Sequence, residues 1–264
     1  MREDFETLTL ERVGEHVLKV VMDRPEAANA MNTQMGLDLR DLWTEFYVEP
    51  TDVRCIVLTG AGDRAFCAGG DLKERNGMTD AQWQRQHAIY EQAVRAMVDC
   101  PVPIIAAVNG AAYGGGCELS LCCDFVYVST NARFALTEVT LGIMPGAAGT
   151  QNLPRAVGVR RAKEIIMTGR PFGAEDALAW GMANRVCEPD KLVEEAIETA
   201  ERIAGNAPIA IRQAKKSTNM ATQIEFKSGY DFEIEAYNRM VSTEDRLEGV
   251  LAFNEKRKPV FKGR

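Results

Sequence analysis

Apolar and polar positions follow two rhythms along the first half of the chain. Thr7-Leu8-Thr9-Leu10 and residues 16–22 are β-rich runs set around Gly14, which predicts a hairpin pair. Residues 32–46 follow a polar Asn29/Asn32 start and carry Met35, Leu37, Leu39, Leu42 and Phe46 at mixed helical spacing. Cys55-Ile56-Val57-Leu58 is apolar without interruption, the pattern of a strand buried on both faces. Thr79 opens a long helix with Ile89, Val94, Met97 and Val98 on its apolar side. Pro103-Ile104-Ile105-Ala106-Ala107-Val108 predicts a second buried strand, residues 115–122 a helix after a glycine-rich turn, and Phe125-Val126-Tyr127-Val128 a third strand.

Strands alternating with helices imply an α/β core with crossover connections. From about Ala148 the pattern is mostly helical, with Leu192, Val193, Ala196, Ile197, Ala200 and Ile203 at the helical period. Gly205-Asn206-Ala207-Pro208 punctuates the chain. Residues 1–205 therefore read as the core and 206–264 as a C-terminal helical segment, packed on the core or on a neighbouring subunit. Phe226, Tyr230, Ile234, Tyr237 and Val241 form one apolar stripe, and Ser242-Thr243-Glu244-Asp245 fits a capping box before the helix at 247–253.

Composition narrows the function classes. The 264 residues are 46% hydrophobic and 26% charged, an ordinary globular balance. No apolar run approaches the ~20 residues of a membrane span. Met1-Arg2-Glu3-Asp4-Phe5 lacks the basic-then-apolar signature of a secretory signal. With 31 basic and 38 acidic side chains the net charge is −7, which disfavours nucleic acid as a partner. Seven cysteines without a C-x-x-C pair read as reduced, mostly buried thiols of a cytoplasmic protein. Only His16 and His87 are present, neither in a recognisable motif, which argues against a zinc site or a Ser-His-Asp triad.

Four segments could carry chemistry. Gly60-Ala61-Gly62-Asp63-Arg64-Ala65 fits G-x-G-x-x-A, but the following Phe66-Cys67-Ala68-Gly69-Gly70-Asp71 cannot propagate a helix, so a tight turn is the better reading than a dinucleotide site. Cys67-Ala68-Gly69-Gly70-Asp71-Leu72-Lys73 allows close backbone approach to a ligand, with Asp71 as a helix cap. Gly114-Gly115-Gly116 follows a strand at a helix start, where free N–H groups suit an oxyanion or phosphate. Glu118, among Cys117, Leu119, Leu121 and Cys122, and Glu138, in the apolar run 134–144, are candidate acid/base carboxyls. Together they suit a reaction in which a carbonyl becomes an enolate while water and a proton are handled nearby.

At these residues the chain resembles the crotonase (enoyl-CoA hydratase/isomerase) superfamily. Arg24-Pro25-Glu26-Ala27-Ala28-Asn29-Ala30-Met31, residues 65–74, 110–124 and 134–154, and the C-terminal stretch 245–257 are similar to that family's motifs. The resemblance implies a spiral of repeated ββα units with a C-terminal helical segment that builds trimers or hexamers. It implies an oxyanion hole from the N–H groups of Gly70 and Gly115, holding a thioester carbonyl. Glu118 and Glu138 match the hydratase branch, with Glu118 activating water for C3 and Glu138 delivering the proton to C2. Ala28, Ala68, Asp71, Leu72 and the CoA-facing Lys73 would complete the acyl-CoA site, and Lys262, in the basic run Lys256, Arg257, Lys258, Lys262 and Arg264, would reach the nucleotide phosphate, sometimes across a subunit interface. No metal or redox cofactor is implied, because the enolate can be stabilised by backbone amides, and coenzyme A arrives as part of the substrate.

Two departures stand out. Gly146-Ala147-Ala148-Gly149 replaces the family's G-x-G-G near the acyl end, and Glu26 stands where many members carry lysine. Residues 66–75 and the C-terminal block look most like 3-methylglutaconyl-CoA hydratases. One relative of that subgroup binds RNA through a lysine-rich helix, whereas 32–46 contains no lysine and one arginine, Arg40. A hydratase is the first expectation; double-bond isomerisation, acyl-CoA hydrolysis and a non-catalytic member are the alternatives.

Overall fold

The computed structural model describes every residue except Met1, Glu3 and Thr51. The first two belong to the amino-terminal stretch discussed above, which lies partly outside the described residues.

β1 (Leu8–Val13) and β2 (Val17–Met22) pair antiparallel around Gly14, as the pattern predicts. α1 (Thr33–Val48) starts at Asn32, whose side chain accepts the Met35 N–H at 2.9 Å. It buries Met35, Leu39, Leu42, Trp43 and Phe46, while Leu37 stays half-buried.

The chain then repeats one move. A long strand makes a turn into a short strand, which leads to helix. β3 (Cys55–Gly60) leads to β4 (Ala65–Cys67), α2 (Leu72–Arg75) and α3 (Asp80–Asp99). β5 (Ile104–Val108) leads to β6 (Ala111–Tyr113) and α4 (Gly115–Cys122). β7 (Phe125–Ser129) leads to β8 (Arg133–Ala135) and a 3-10 turn over Glu138–Leu141. After α5 (Gly149–Val157) and α6 (Val159–Thr168) come β9 (Phe172–Gly173), α7 (Ala174–Ala179), β10 (Arg185–Cys187) and α8 (Leu192–Ala204).

The repeat sorts its strands into two sheets, ordered β1-β2-β3-β5-β7-β10 and β4-β6-β8-β9. Within the large sheet every pair except β1·β2 is parallel. Each residue of β3 and β5 is buried, because the large sheet is covered on both faces. Alternate side chains separate into two cores. Ile56, Leu58, Ile104, Ala106 and Val126 share one with α1 and α3. Cys55, Val57, Ile105, Ala107 and Tyr127 pack against Leu192, Ala196 and Ala200 of α8 in the other. The segment after Gly60 turns into β4, so the tight-turn reading holds and no dinucleotide helix follows.

α3 opens on a capping box between Thr79 and Gln82. Its inward face differs from the sequence reading. Gln86, Tyr90, Ala93, Val94 and Met97 are buried, whereas Val98 is 42% exposed. The Tyr90 ring fixes this rotation by packing where a Cβ on Gly36 of α1 would stand, 2.6 Å away. Val98, one residue beyond Met97, is thereby turned towards solvent.

Three helices close the chain: α9 (Pro208–Met220), α10 (Phe226–Val241) and α11 (Glu244–Asn254). The predicted stripe exists on α10 and is exposed, from 40% at Ile234 to 86% at Phe226. α11 is capped by Thr243, not by a Ser242 box. The Asp245 carboxylate is occupied elsewhere, accepting the Lys262 and Gly263 N–H groups at 2.7 and 2.8 Å. The basic run is therefore folded down, with Arg257 paired to Glu248 and Glu255 and Arg264 to Glu244.

All seven cysteines are unpaired and six are buried. Burial pushes the Cys55 and Cys67 thiols up to about 12. No helix among the described residues is long and apolar enough to cross a membrane.

Candidate active site

Two loops, one from each of two successive repeats, meet at a single cavity. The first follows β4. Ala68 N donates to Ala28 O at 3.1 Å, Met31 N to Gly69 O and Asp71 N to Met31 O, both at 2.8 Å. Gly70 is thus strapped between two fixed neighbours. Gly69 sits at φ +90°, and a Cβ there would lie 2.7 Å from Tyr113 O. Asp71 caps α2 by accepting from Lys73 N and Glu74 N, and pairs with Arg24 at 3.1 Å. Those hydrogen bonds and the arginine hold its carboxyl below the usual range despite its burial.

The second loop follows β6. Gly114 N donates to Ala135 O at 2.8 Å, and α4 begins at Gly115. A Cβ on Gly115 would stand 4.0 Å from Gly70 N, so the two loops touch. Gly116 presses α4 onto β4, where any Cβ would overlap the Cys67 carbonyl. Among the described residues neither Gly70 N–H nor Gly115 N–H has an acceptor. Two free amides therefore border one space, the arrangement that stabilises a developing oxyanion.

Glu118 lies on the first turn of α4 and is 3% exposed. Its Oε1 accepts from Ala147 N and Gly149 N, each at 2.8 Å. Burial raises its carboxyl above the ordinary range in spite of those hydrogen bonds. Glu138 starts the 3-10 turn and is 8% exposed, and neither of its oxygens has a partner among the described residues. Burial, and secondarily the charge of Glu118, push its carboxyl up to about 7. Glu138 Oε1 is 3.1 Å from where a Cβ on Gly114 would stand, which places it at the mouth of the second loop.

Ala68, Gly70, Leu72, Gly115, Glu118 and Glu138, all singled out from sequence, line this cavity together. Others do not. Ala28 supports the first loop from behind through its carbonyl. The Asp71 side chain is taken up by the cap and Arg24. Lys73 stands exposed on α2, outside the lining. Lys262 lies in a separate cleft with Arg54, His16 and Val17, at the amino-terminal ends of β2 and β3. Ala147 does line the cavity, and Ala148 adopts φ 72° ahead of α5.

Sequence reasoning missed the contribution of α2 and α3. Arg75, His87 and Tyr90 also line the cavity, so His87 belongs to the site despite the absence of a motif around it. The available signal was Trp83, His87 and Tyr90 at i, i+4 and i+7, an aromatic face on a helix read as aliphatic. Tyr90 donates its hydroxyl to Met31 O at 2.6 Å, tying α3 to the first loop.

A repeated strand–turn–strand spiral brings two free amides and two carboxyls to one cavity, groups whose chemistry suits an oxyanion and a proton handled together. The family model for enoyl-CoA hydratase/isomerase matches residues 12–264. The crystal structure of an enoyl-CoA hydratase from Bacillus anthracis superposes with a TM-score of 0.96 at 43% identity, covering 98% of this chain and 100% of that one. The short-chain-enoyl-CoA hydratase of Clostridium acetobutylicum is 38% identical, covering 97% of both chains. The crotonyl-CoA hydratase of Syntrophomonas wolfei is 36% identical over 97% of this chain and 98% of its own. The chain belongs to the enoyl-CoA hydratase/isomerase family, the crotonase superfamily.

Proposed function

We infer that the protein is an enoyl-CoA hydratase, adding water across the 2,3-double bond of a 2-enoyl-CoA thioester. The observation that carries this reading is the pair Glu118 and Glu138 on one cavity, the first anchored by two amides and the second without a partner among the described residues and raised to about 7. The thioester carbonyl accepts from Gly70 and Gly115 N–H, which stabilise the negative charge that grows on its oxygen. Glu118, fixed in place by its two amides, draws a proton from water as the oxygen attacks C3. Glu138, protonated near neutrality, delivers a proton to C2 as the enolate collapses. Backbone amides supply the charge stabilisation, so no metal or redox cofactor is needed; coenzyme A enters with the substrate. Relatives named for hydratase activity support this reading.

Residues 1–205 form the catalytic core in this reading, and 206–264 pack subunits into a trimer or a pair of trimers. The exposed apolar stripe of α10 supports this assignment. Lys262, remote from its own cavity, would serve a neighbour's nucleotide phosphate. Unpaired thiols suit a reducing cytoplasm, and the net charge of −7, with no lysine in 32–46, argues against nucleic acid as a partner.

The test is the ultraviolet absorbance of the conjugated enoyl thioester, with crotonyl-CoA beside 3-methylglutaconyl-CoA. Loss of the band with a 3-hydroxyacyl product is expected. Bound acyl-CoA with no loss for either substrate would overturn the hydratase reading.

A further inference from the structure

The two amides that border the cavity are supported in different ways. Gly115 opens α4, an eight-residue helix whose dipole favours negative charge at its first N–H groups. Gly70 precedes α2, a single turn of four residues. Its N–H is aimed by a hydrogen bond on the far side of its own peptide group. Gly69 O accepts Met31 N–H at 2.8 Å, and in a trans peptide the Gly70 N–H points the opposite way. The same relation holds one peptide further back. Met31 N–H shares its peptide group with Ala30 O, and Ala30 O accepts from Arg24 Nη1 at 2.5 Å. A guanidinium, two peptide groups and the Gly70 N–H therefore run head to tail in one hydrogen-bonded line that ends at the cavity.

The fold holds this arginine closely. Its side chain is 18% exposed, and Nη1 also donates to Asp71 Oδ2 at 3.1 Å. Its main chain is fastened by the fully buried Asn29, whose Oδ1 accepts Arg24 N–H at 3.0 Å while Nδ2 donates to Ala61 O and Ala65 O. Ala28 and Asn29 take left-handed conformations, φ 52° and 54°, in the turn that returns Ala30 O to Arg24. Two such residues in succession cost energy that an ordinary loop avoids. Each hydrogen bond in a line polarises the next, and a permanent positive charge at the start strengthens the donor at the end. Asp71 steadies the guanidinium without taking Ala30 O from it. We propose that Arg24 is a positioning residue for the oxyanion hole, aiming and polarising the Gly70 N–H through the Ala30–Met31 and Gly69–Gly70 peptide groups.

This inference rests on the reading that a thioester carbonyl lies at Gly70 and Gly115. The test is the infrared carbonyl band of butyryl-CoA, labelled with carbon-13 at the thioester and bound to the full-length protein. In the unmodified protein the band should lie at lower wavenumber than in water. Arg24→Gln should lose part of that displacement and lower kcat for crotonyl-CoA about 10-fold, less than deleting an oxyanion donor outright. Its Kd for butyryl-CoA should stay unchanged. Arg24→Lys, which keeps the charge without the fork, should fall between. It carries the test if the Gln variant does not fold, a band at the unmodified position then overturning the proposal. A Gln variant with the unmodified band also overturns it, as does a loss confined to affinity, which would make Arg24 a ligand contact. No displacement in the unmodified protein overturns the hole and the proposal with it. A displaced band that depends on Arg24, without hydration of any enoyl-CoA, would sink the hydratase reading and leave the role of Arg24 standing.

Discussion

Glu118 and Glu138 face one cavity but are held in opposite ways: Glu118 Oε1 accepts two backbone N–H groups, whereas both oxygens of Glu138 are buried without a partner among the described residues. Burial raises both carboxyls; on Glu118 the amides oppose that rise, whereas on Glu138 the nearby charge of Glu118 adds to it. Environment alone thus gives two identical side chains different hydrogen bonding at one cavity.

Turnover should fall as pH rises above about 7, where Glu138 loses the proton it is to donate. Rate against pH for an enoyl-CoA substrate checks this. Glu138→Gln should remove that limb and lower kcat by about 10²- to 10⁴-fold, with acyl-CoA still bound.

The same group ties stability to pH. Its folded pKa of about 7 lies above the ordinary 4.5, so the folded state holds an extra proton between these values. Stability contributed by the neutral form is present below about 4.5 and lost as pH rises to about 7. Urea unfolding at pH 5 and pH 8 should show Glu138→Gln gaining about 1–2 kcal/mol on the unmodified protein at the higher pH, after allowance for solvent reaching the cavity.

Two alanine substitutions should part company. A Cβ on Gly149 would stand 2.7 Å from Glu118 Oε1, at the tip of a side chain, so Gly149→Ala should displace the carboxylate and lose turnover in a folded protein. A Cβ on Gly116 would overlap the Cys67 backbone instead, so Gly116→Ala should lose about 3 kcal/mol of stability. Thermal melts paired with kinetics distinguish the two.

Tyr230→Glu combined with Phe253→Glu should reduce the assembled species, since these side chains are 52% and 83% exposed on α10 and α11. Sedimentation velocity reads the change, and a mass that stays the same would count against these helices as the packing surface.

The long strands and helices were legible because runs such as Cys55-Ile56-Val57-Leu58 and the Thr79 start carry strong local signals. The second sheet was not, since β4, β6 and β8 are three residues each and owe their pairing to neighbouring turns of the spiral. Glu118, Glu138 and the Gly70 and Gly115 loops could be read because glycine clusters beside apolar-flanked acids are local patterns. Arg75 and His87 could not: their place in the cavity follows from how α2 and α3 cross the first loop, and a polar residue on a helix looks like a solvated one until that packing is known. The missed cap at Thr243 has a similar cause, for Asp245 is claimed by the distant Lys262 and Gly263 amides.

The buried thiols give the fold a built-in gauge of its own integrity. With Cys55 on β3 and Cys67 on β4 pushed up to about 12, almost no thiolate exists at neutral pH while the chain is closed. Unfolding returns these groups to ordinary acidity and to solvent at once. Alkylation by a thiol reagent at mildly basic pH therefore counts opening events in a native population, core strand by core strand, without any engineered probe.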